Sequence, residues 1–388
     1  MSEDKRVPEH SRKTSKGKSK KSKAAARARK RKQIILFAVE IIILVALGAV
    51  LFFVNKATDE ETGVEKVNLN EENLGINEEL KESGYWDEVN ASSTENGTGK
   101  GYMQVALFGV DSRQGELSKN TRTDSIIIAS INQDTGEVKL VSVFRDTYLN
   151  LSNDTYNKCN SAYAKGGPEQ AIQMLNMNLD LNIENYITVG FKGVVDTVNS
   201  LGGVNIDITK TEISHLNNYQ SCIAEDLGIT NYTEVTNTGL QTLDGLQACA
   251  YCRIRYTAGD DFKRAERQRT VLTQMTEKAK AASTTTLTGI ATDAFSNVST
   301  SFDLNDILDV ASNVSKYTIV GSEGFPFEDY RTTGTIGNKG SCVVPTDLAT
   351  NVSQLHNFLF GVENYEPSGT VKECSEKIHA DTVGYVGK

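Results

Sequence analysis

One apolar run constrains this chain more than anything else in it. IILFAVEIIILVALGAVLFFV, Ile34 to Val54, spans 21 residues with a single ionisable side chain, Glu40. As a helix, a run of that length covers about 30 Å, the thickness of a bilayer's hydrocarbon core. A secretory signal has a shorter apolar region, about 7–15 residues, and a small-residue cleavage site, and neither is evident here. Immediately before the run, residues 1–32 carry fourteen Lys/Arg against three Asp/Glu. Few basic residues follow it, and that asymmetry places the N-terminus in the cytoplasm and the C-terminal part outside. The sequence thus predicts a single-pass type II membrane protein with a basic cytoplasmic tail over 1–32 and a transmembrane helix over 33–54. Beside a span, such a tail sets topology and contacts anionic lipid.

The net charge is −9, so everything after the tail carries about −20. A body that acidic is ill suited to general nucleic-acid binding. Residues 55–100 hold twelve Asp/Glu against four Lys and close on NASSTENGTGKG, which reads as an extracytoplasmic linker. Six cysteines, at 159, 222, 249, 252, 342 and 374, fit an oxidising compartment as structural thiols or disulfides. Cys249-Ala-Tyr-Cys252 has redox or zinc spacing, but no second such pair or nearby histidine completes a zinc set.

Order begins at YMQVALFGV, Tyr102 to Val110, a buried strand by its apolar run. The β-rich runs 125–131 and 138–144 flank a short Gly-containing connection and predict an antiparallel hairpin. A helix starts with Pro168 in its first turn. A strand over 186–191, a glycine-stopped helix and the strand 204–208 follow. LQTLDGLQA reads as helical and AYCRIR as a strand; a long helix covers about 263–282. Further helices are expected over LNDILDVASNV and TDLATNVSQLHNFLFG, then a polar tail over 366–388. Strands alternating with helices imply an α/β class, an α-β-α sandwich around a central mixed sheet.

Charged residues cluster within this frame. Pairing residue 131 with 138 sets Asp124 opposite Arg145. Asp111 follows the C-terminal end of the first strand, where ligands of α/β sheets commonly bind, so Asp111, Arg122, Asp124 and Arg145 are expected to converge. Arg253 and Arg255, two apart on the expected strand, face one side. Arg264, Arg267 and Gln268 share a helix face, Asp261 stands at that helix's start, and Lys158 precedes another helix. Arginine forks suit bidentate phosphate binding, and this many would repel one another unless an anion joined them. Two carboxylates without thiolate or imidazole suit a hard ion, Mg²⁺ with Mn²⁺ as the alternative. Taken singly, each feature is more often a surface pair, a solvated helix face or a cap; their convergence carries the functional reading.

The order of the motifs also resembles a known family. LFGVDSRQGELSKNTRTDSIIIASIN, VKLVSVFRDTYLNL, NKCNSAYAKGGPEQAI, LGGVNIDI, LDGLQACAYCRIRY and DDFKRAERQR look like the LytR-CpsA-Psr family of bacterial cell-wall enzymes, over about residues 101–365. The resemblance implies a catalytic domain held outside the bacterial cell membrane. It implies a phosphotransferase moving a glycan phosphate from an undecaprenyl-pyrophosphate carrier onto peptidoglycan. In those terms Asp111 and Asp124 would hold Mg²⁺. Arg122, Arg145, Arg253 and Arg255 would work on the pyrophosphate with Lys158, Arg264, Arg267 and Gln268 around it, and Asp261 would orient arginines or act near the acceptor hydroxyl. A pyrophosphatase, or a non-enzymatic lipid-pyrophosphate-binding envelope regulator, are the alternatives. Phe144 departs from the family's usual proline before the Arg-Asp pair. Cys159, Cys249 and Cys252 replace aliphatic residues, which suggests local disulfides rather than lost chemistry.

Overall fold

The structure, a computed structural model, describes residues 69–70, 73–94, 99–111, 117, 121–255, 260–282, 298–302 and 318–386. The expected span over 33–54 and the helix expected over 304–314 lie outside these residues. Among the described residues, no helix is long and apolar enough to cross a membrane.

Two short helices come first, α1 (Glu78–Glu82) and α2 (Tyr85–Ser92). They correct the reading of 55–100 as plain linker. Leu74, Leu80, Trp86 and Val89 are buried in the main core, an apolar stripe sparse enough to be masked by the acidic composition around it. Strand β1 (Tyr102–Val110) then pairs antiparallel with β2 (Thr123–Asn132). β2 pairs with β3 (Glu137–Val143) in the expected register, Ile131 opposite Val138. A small ribbon follows, β4 (Tyr148–Asn150) with β5 (Tyr156–Lys158).

Helix α3 (Ser161–Leu179) is broken by non-helical backbone at Gly166 and Gly167, so Pro168 opens its second segment as expected. Strand β6 (Asn185–Val189) runs parallel to β1 and leads into α4 (Phe191–Ser200). Next come β7 (Val204–Ile208), α5 (Lys210–Leu227), β8 (Gly239–Leu243), α6 (Gly245–Tyr251) and α7 (Asp260–Ala281). Strands β9 (Val298–Thr300) and β10 (Thr318–Phe325) complete a six-stranded mixed sheet in the order β10-β3-β2-β1-β6-β9. The ribbon β11 (Arg331–Thr335) and β12 (Ser341–Pro345) precedes α8 (Leu348–Phe360) and α9 (Gly369–Thr382).

Side-chain alternation sorts the sheet's two faces. Ala106, Phe108, Ile126, Ile128, Val141 and Val143 join α3, α8 and α9 in one core. Val105, Ile127, Ala129, Val138 and Leu140 line the other face, where Leu272 of α7 packs. A further apolar cluster joins α4, α5, α6 and α7 around the β7–β8 ribbon. The fold is thus α/β with a central mixed sheet.

Three expectations fail, each for a local reason. LQTL is strand β8 rather than helix, paired with β7. AYCRIR is not a strand: Asp244 and Gln247 form a capping box, with Asp244 Oδ1 accepting from the Gln247 N–H at 2.8 Å. Together with two alanines, that box commits the segment to helix. The polar tail is helix α9, whose N-cap Ser368 accepts from Val371 N and which buries Val371, Cys374 and Ile378 at helical spacing.

Gly245 marks the closest approach of α6 to α4. A Cβ there would lie 2.1 Å from the Val195 carbonyl oxygen, while Gly245 N–H donates to Asn199 Oδ1 at 2.7 Å. Gly245→Ala is expected to destabilise the fold by about 1–3 kcal/mol as backbones are forced apart, read as a lower Tm. An unchanged Tm would contradict this packing.

All six cysteines are free thiols rather than the expected local disulfides. Cys159 is fully enclosed and donates to the Phe144 and Arg145 carbonyls at 3.2 and 3.3 Å. Burial pushes the Cys249 thiol up to about 12, so it stays protonated and unreactive at neutral pH. The four buried ones, Cys159, Cys249, Cys342 and Cys374, act as small apolar packing residues.

Candidate active site

The site forms where the C-terminal end of β1, the start of β2 and the end of β3 meet the N-terminus of α7. Gly109 pairs with Ser125 and Val110 with Thr123, which leaves Asp124 as the extra residue of a β-bulge. Bulges re-aim side chains next to active sites, and here the bulged Asp124 carboxylate accepts from Arg145 Nη1, as the hairpin register predicted. Asp111 continues β1, with its N–H to the Arg122 carbonyl at 3.5 Å and its Oδ2 3.4 Å from Arg253 Nη2.

Helix α6 ends just before Arg253, and the turn that follows sends neighbouring arginines to different partners. Ile254 is fully buried between them. Arg253 stacks over the Phe191 ring at 4.5 Å and near Tyr219 at 5.5 Å on its way to Asp111. Arg255 instead makes a two-pronged contact with Asp261, at 2.9 and 3.4 Å. The expectation that the two share one face of a strand is therefore corrected, although both reach the site. Asp261, in the first turn of α7, also lies 3.3 Å from Arg264 Nη1. Gln268 Nε2 donates to the Asp124 carbonyl at 3.3 Å.

Asp146 is the functional candidate that sequence reasoning passed over. It is buried between Lys158 Nζ at 3.3 Å and Arg145 Nε at 3.9 Å. Burial raises its carboxyl pKa, Arg145 and Lys158 pull it back, and the neighbouring Asp261 carboxylate, as acceptor and as like charge, leaves it raised overall. Asp261 moves the opposite way: burial is outweighed by Arg264, Arg255 and Arg145, so it stays ionised. A proton bound by the pair is therefore held on Asp146 rather than on Asp261. The signal available in sequence was its place beside Arg145 at a strand end.

Two predicted residues stand apart. Arg122, the residue before β2, is exposed, and among the described residues only its backbone carbonyl joins the arrangement just described. Arg267 is buried and committed elsewhere, to Glu212 Oε1 at 2.8 Å and the Ile254 carbonyl at 3.2 Å. Its distance along α7 from Arg264, three residues, puts both on the inward face, but the Glu212 carboxylate claims it.

The remaining cations form a dense array. Burial, then the charge of Arg145, lower the Arg264 pKa; the carboxylates of Asp261 and Asp124 offset this in part. Arg145 Nε and Arg264 Nε are both buried without a hydrogen-bond partner among the described residues. Buried N–H groups are seldom left unused. Guanidinium groups with spare buried donors are an arrangement suited to an anion such as a phosphate.

For a divalent ion, the donor set is two carboxylates on neighbouring strands, Asp111 and Asp124. No group of three or more His, Cys, Asp or Glu able to hold a metal occurs among the described residues. Two carboxylates plus phosphate oxygens is a set that Mg²⁺ accepts. The residues fit the ion when it is shared with an anionic substrate.

Comparison with known proteins bears on the family and the fold. The chain is 31% identical over 222 residues to an Oceanobacillus iheyensis protein named polyisoprenyl-teichoic acid–peptidoglycan teichoic acid transferase TagU, covering 55% of this chain and 63% of that one. It is 30% identical over 187 residues to the Bacillus subtilis transferase of the same type, TagT, covering 48% of this chain and 55% of that one. The chain thus spans less than two thirds of the length of these relatives. A crystal structure from Enterococcus faecalis, described as a transcriptional regulator, shares the fold with a TM-score of 0.56 at 23% identity, covering 74% of this chain and 97% of that one. Residues 60–346 match the LytR_cpsA_psr family, most of the chain and all of the charged site, and the chain belongs to that family.

Proposed function

We propose that this chain is a phosphotransferase that moves a glycan phosphate from an undecaprenyl-pyrophosphate carrier onto a peptidoglycan hydroxyl. The observation that carries the reading is the pair of buried guanidinium groups, Arg145 and Arg264, with unused donors beside like charges. The transferase names of the relatives supply the substrate class.

In this reading the acceptor hydroxyl oxygen bonds to the glycan-side phosphorus as the bridging P–O bond breaks, polyprenyl phosphate leaves, and the hydroxyl proton passes to the leaving phosphate or to water. Such transfer is mostly positioning and charge stabilisation. Arg145, Arg253, Arg255 and Arg264 exchange their carboxylate partners for phosphate oxygens and offset the charge that grows on the leaving phosphate. Lys158 and Gln268 border the array, and Asp261 holds Arg255 and Arg264 in place until the diphosphate arrives. Arg267 supports the site from behind through Glu212. Mg²⁺, held by Asp111 and Asp124, would neutralise diphosphate charge. The apolar run 34–54 would anchor the chain in the bacterial membrane with this domain outside, beside a carrier whose prenyl tail stays in the bilayer.

The test is a reaction with a glycan labelled on an undecaprenyl-pyrophosphate carrier and isolated peptidoglycan. Label is expected in the wall through a phosphodiester with Mg²⁺ present, and to be lost on chelation with EDTA. Label released as soluble phosphorylated glycan would make the chain a pyrophosphatase. Carrier binding with no turnover would make it a binding protein and sink the transferase reading.

A further inference from the structure

The segment that carries Arg145 is fastened to the start of α7 on both sides of that arginine. On one side, the Asp146 carboxyl neighbours that of Asp261. On the other, the Phe144 and Phe262 rings meet edge to face, with centroids 4.7 Å apart at 76°. Phe144 and Asp146 belong to one tight turn, closed by the Thr147 N–H to the Phe144 carbonyl at 2.9 Å, and Asp261 and Phe262 are adjacent on the helix. Arg145 lies between the two fastenings.

Arg331, at the start of β11, closes over the rings. Its guanidinium carbon sits 4.1 Å from the Phe262 centroid and 5.1 Å from that of Phe144, and Nη1 donates to the Pro326 carbonyl at 3.1 Å. Beneath, Gly324 leaves no room for a side chain, since a Cβ there would fall 2.5 Å from Phe144 Cζ. Phe144 N–H donates to the Phe325 carbonyl at 3.0 Å, tying the segment to β10. A half-buried cation over two rings is a directional contact, not just apolar filling.

The geometry points to Phe144, Phe262 and Arg331 as positioning residues: the ring pair under the guanidinium sets the spacing of Arg145 from Asp261 and keeps the anion site assembled before substrate arrives. This rests on reading that site as a diphosphate site. Misplacing a reacting group by about 1 Å costs on the order of a hundredfold in rate, and a looser array also binds its anion more weakly.

The test measures inorganic pyrophosphate binding to the full chain in detergent, with Mg²⁺, by calorimetry. Phe262→Leu keeps apolar volume and loses the ring; Phe262→Tyr keeps the ring. Arg331→Lys keeps a cation over it, and Arg331→Gln does not. Phe262→Leu and Arg331→Gln are expected to bind about tenfold more weakly, with Tm close to wild type, a loss of the size one ring–cation contact accounts for. Phe262→Tyr and Arg331→Lys are expected within about threefold of wild type. Should Phe262→Leu unfold, Arg331→Gln, on a half-exposed side chain, carries the same comparison. Wild-type affinity in both Phe262→Leu and Arg331→Gln would overturn the positioning role and leave the diphosphate site standing. No pyrophosphate binding by wild type would instead overturn the site, and this inference with it.

Discussion

Arg145→Ala is expected to lower glycan transfer by about a thousandfold or more, with the fold intact. Removing one preorganised donor from a developing anion costs on the order of 10²–10³ in turnover, and an arginine acting on a phosphoryl group more. Arg145 reaches Asp124 on β2 and lies near Asp146 beyond β3, so its loss also frees two carboxylates to repel the incoming diphosphate. Arg145→Lys keeps the charge without the planar fork, and an intermediate loss of roughly 10–100-fold is expected. Single-turnover transfer by each variant, beside its Tm, separates chemistry from folding. Activity of Arg145→Ala within tenfold of wild type would remove this residue from the reaction.

The largest stability effect is expected at the buried Arg267–Glu212 pair, whose side chains are 3% and 7% exposed. Glu212 closes a capping box at the start of α5, with one oxygen taking the Thr209 N–H at 2.9 Å and hydroxyl at 2.7 Å and the other taking Arg267. Deleting either partner leaves the other charge buried alone, at a cost of about 3–5 kcal/mol. Burial by itself would raise the Glu212 pKa; the Thr209 donors and Arg267 outweigh it and the net shift is downward. A carboxylate whose folded pKa is depressed stabilises above its unfolded value of about 4.3 and loses that contribution as pH falls through the folded value. The Tm gap between wild type and Glu212→Gln should therefore be full at pH 7 and narrow below about pH 4. A gap independent of pH would mean the charge is not what stabilises.

The strands nearest the site were legible because their pattern is local: the β2–β3 register followed from two apolar runs and one short connection. That register placed Asp124 against Arg145 before any coordinates, though not the bulge that aims it, which depends on how β1 ends. Arg253 and Arg255 do reach the charged cluster but not from a strand, since alternation in AYCRIR imitates a strand while the capping box upstream decides for helix. Arg267 shares its helix face with Arg264, and only the arrival of Glu212 from α5 separates a buried ion pair from a site residue. Asp146 shows the same limit from the other side: its burial between Lys158 and Arg145 arises from tertiary packing that no spacing encodes. The acidic stretch before β1 and the polar tail hid their packed helices because composition averages over the few apolar residues that dock.

The most direct test is a crystal structure of the chain with a non-hydrolysable polyprenyl diphosphate analogue and Mg²⁺. Diphosphate oxygens within hydrogen-bond distance of Arg145, Arg253, Arg255 and Arg264 are the predicted result. A diphosphate bound elsewhere, with those four arginines still paired to Asp124, Asp111 and Asp261, would contradict it.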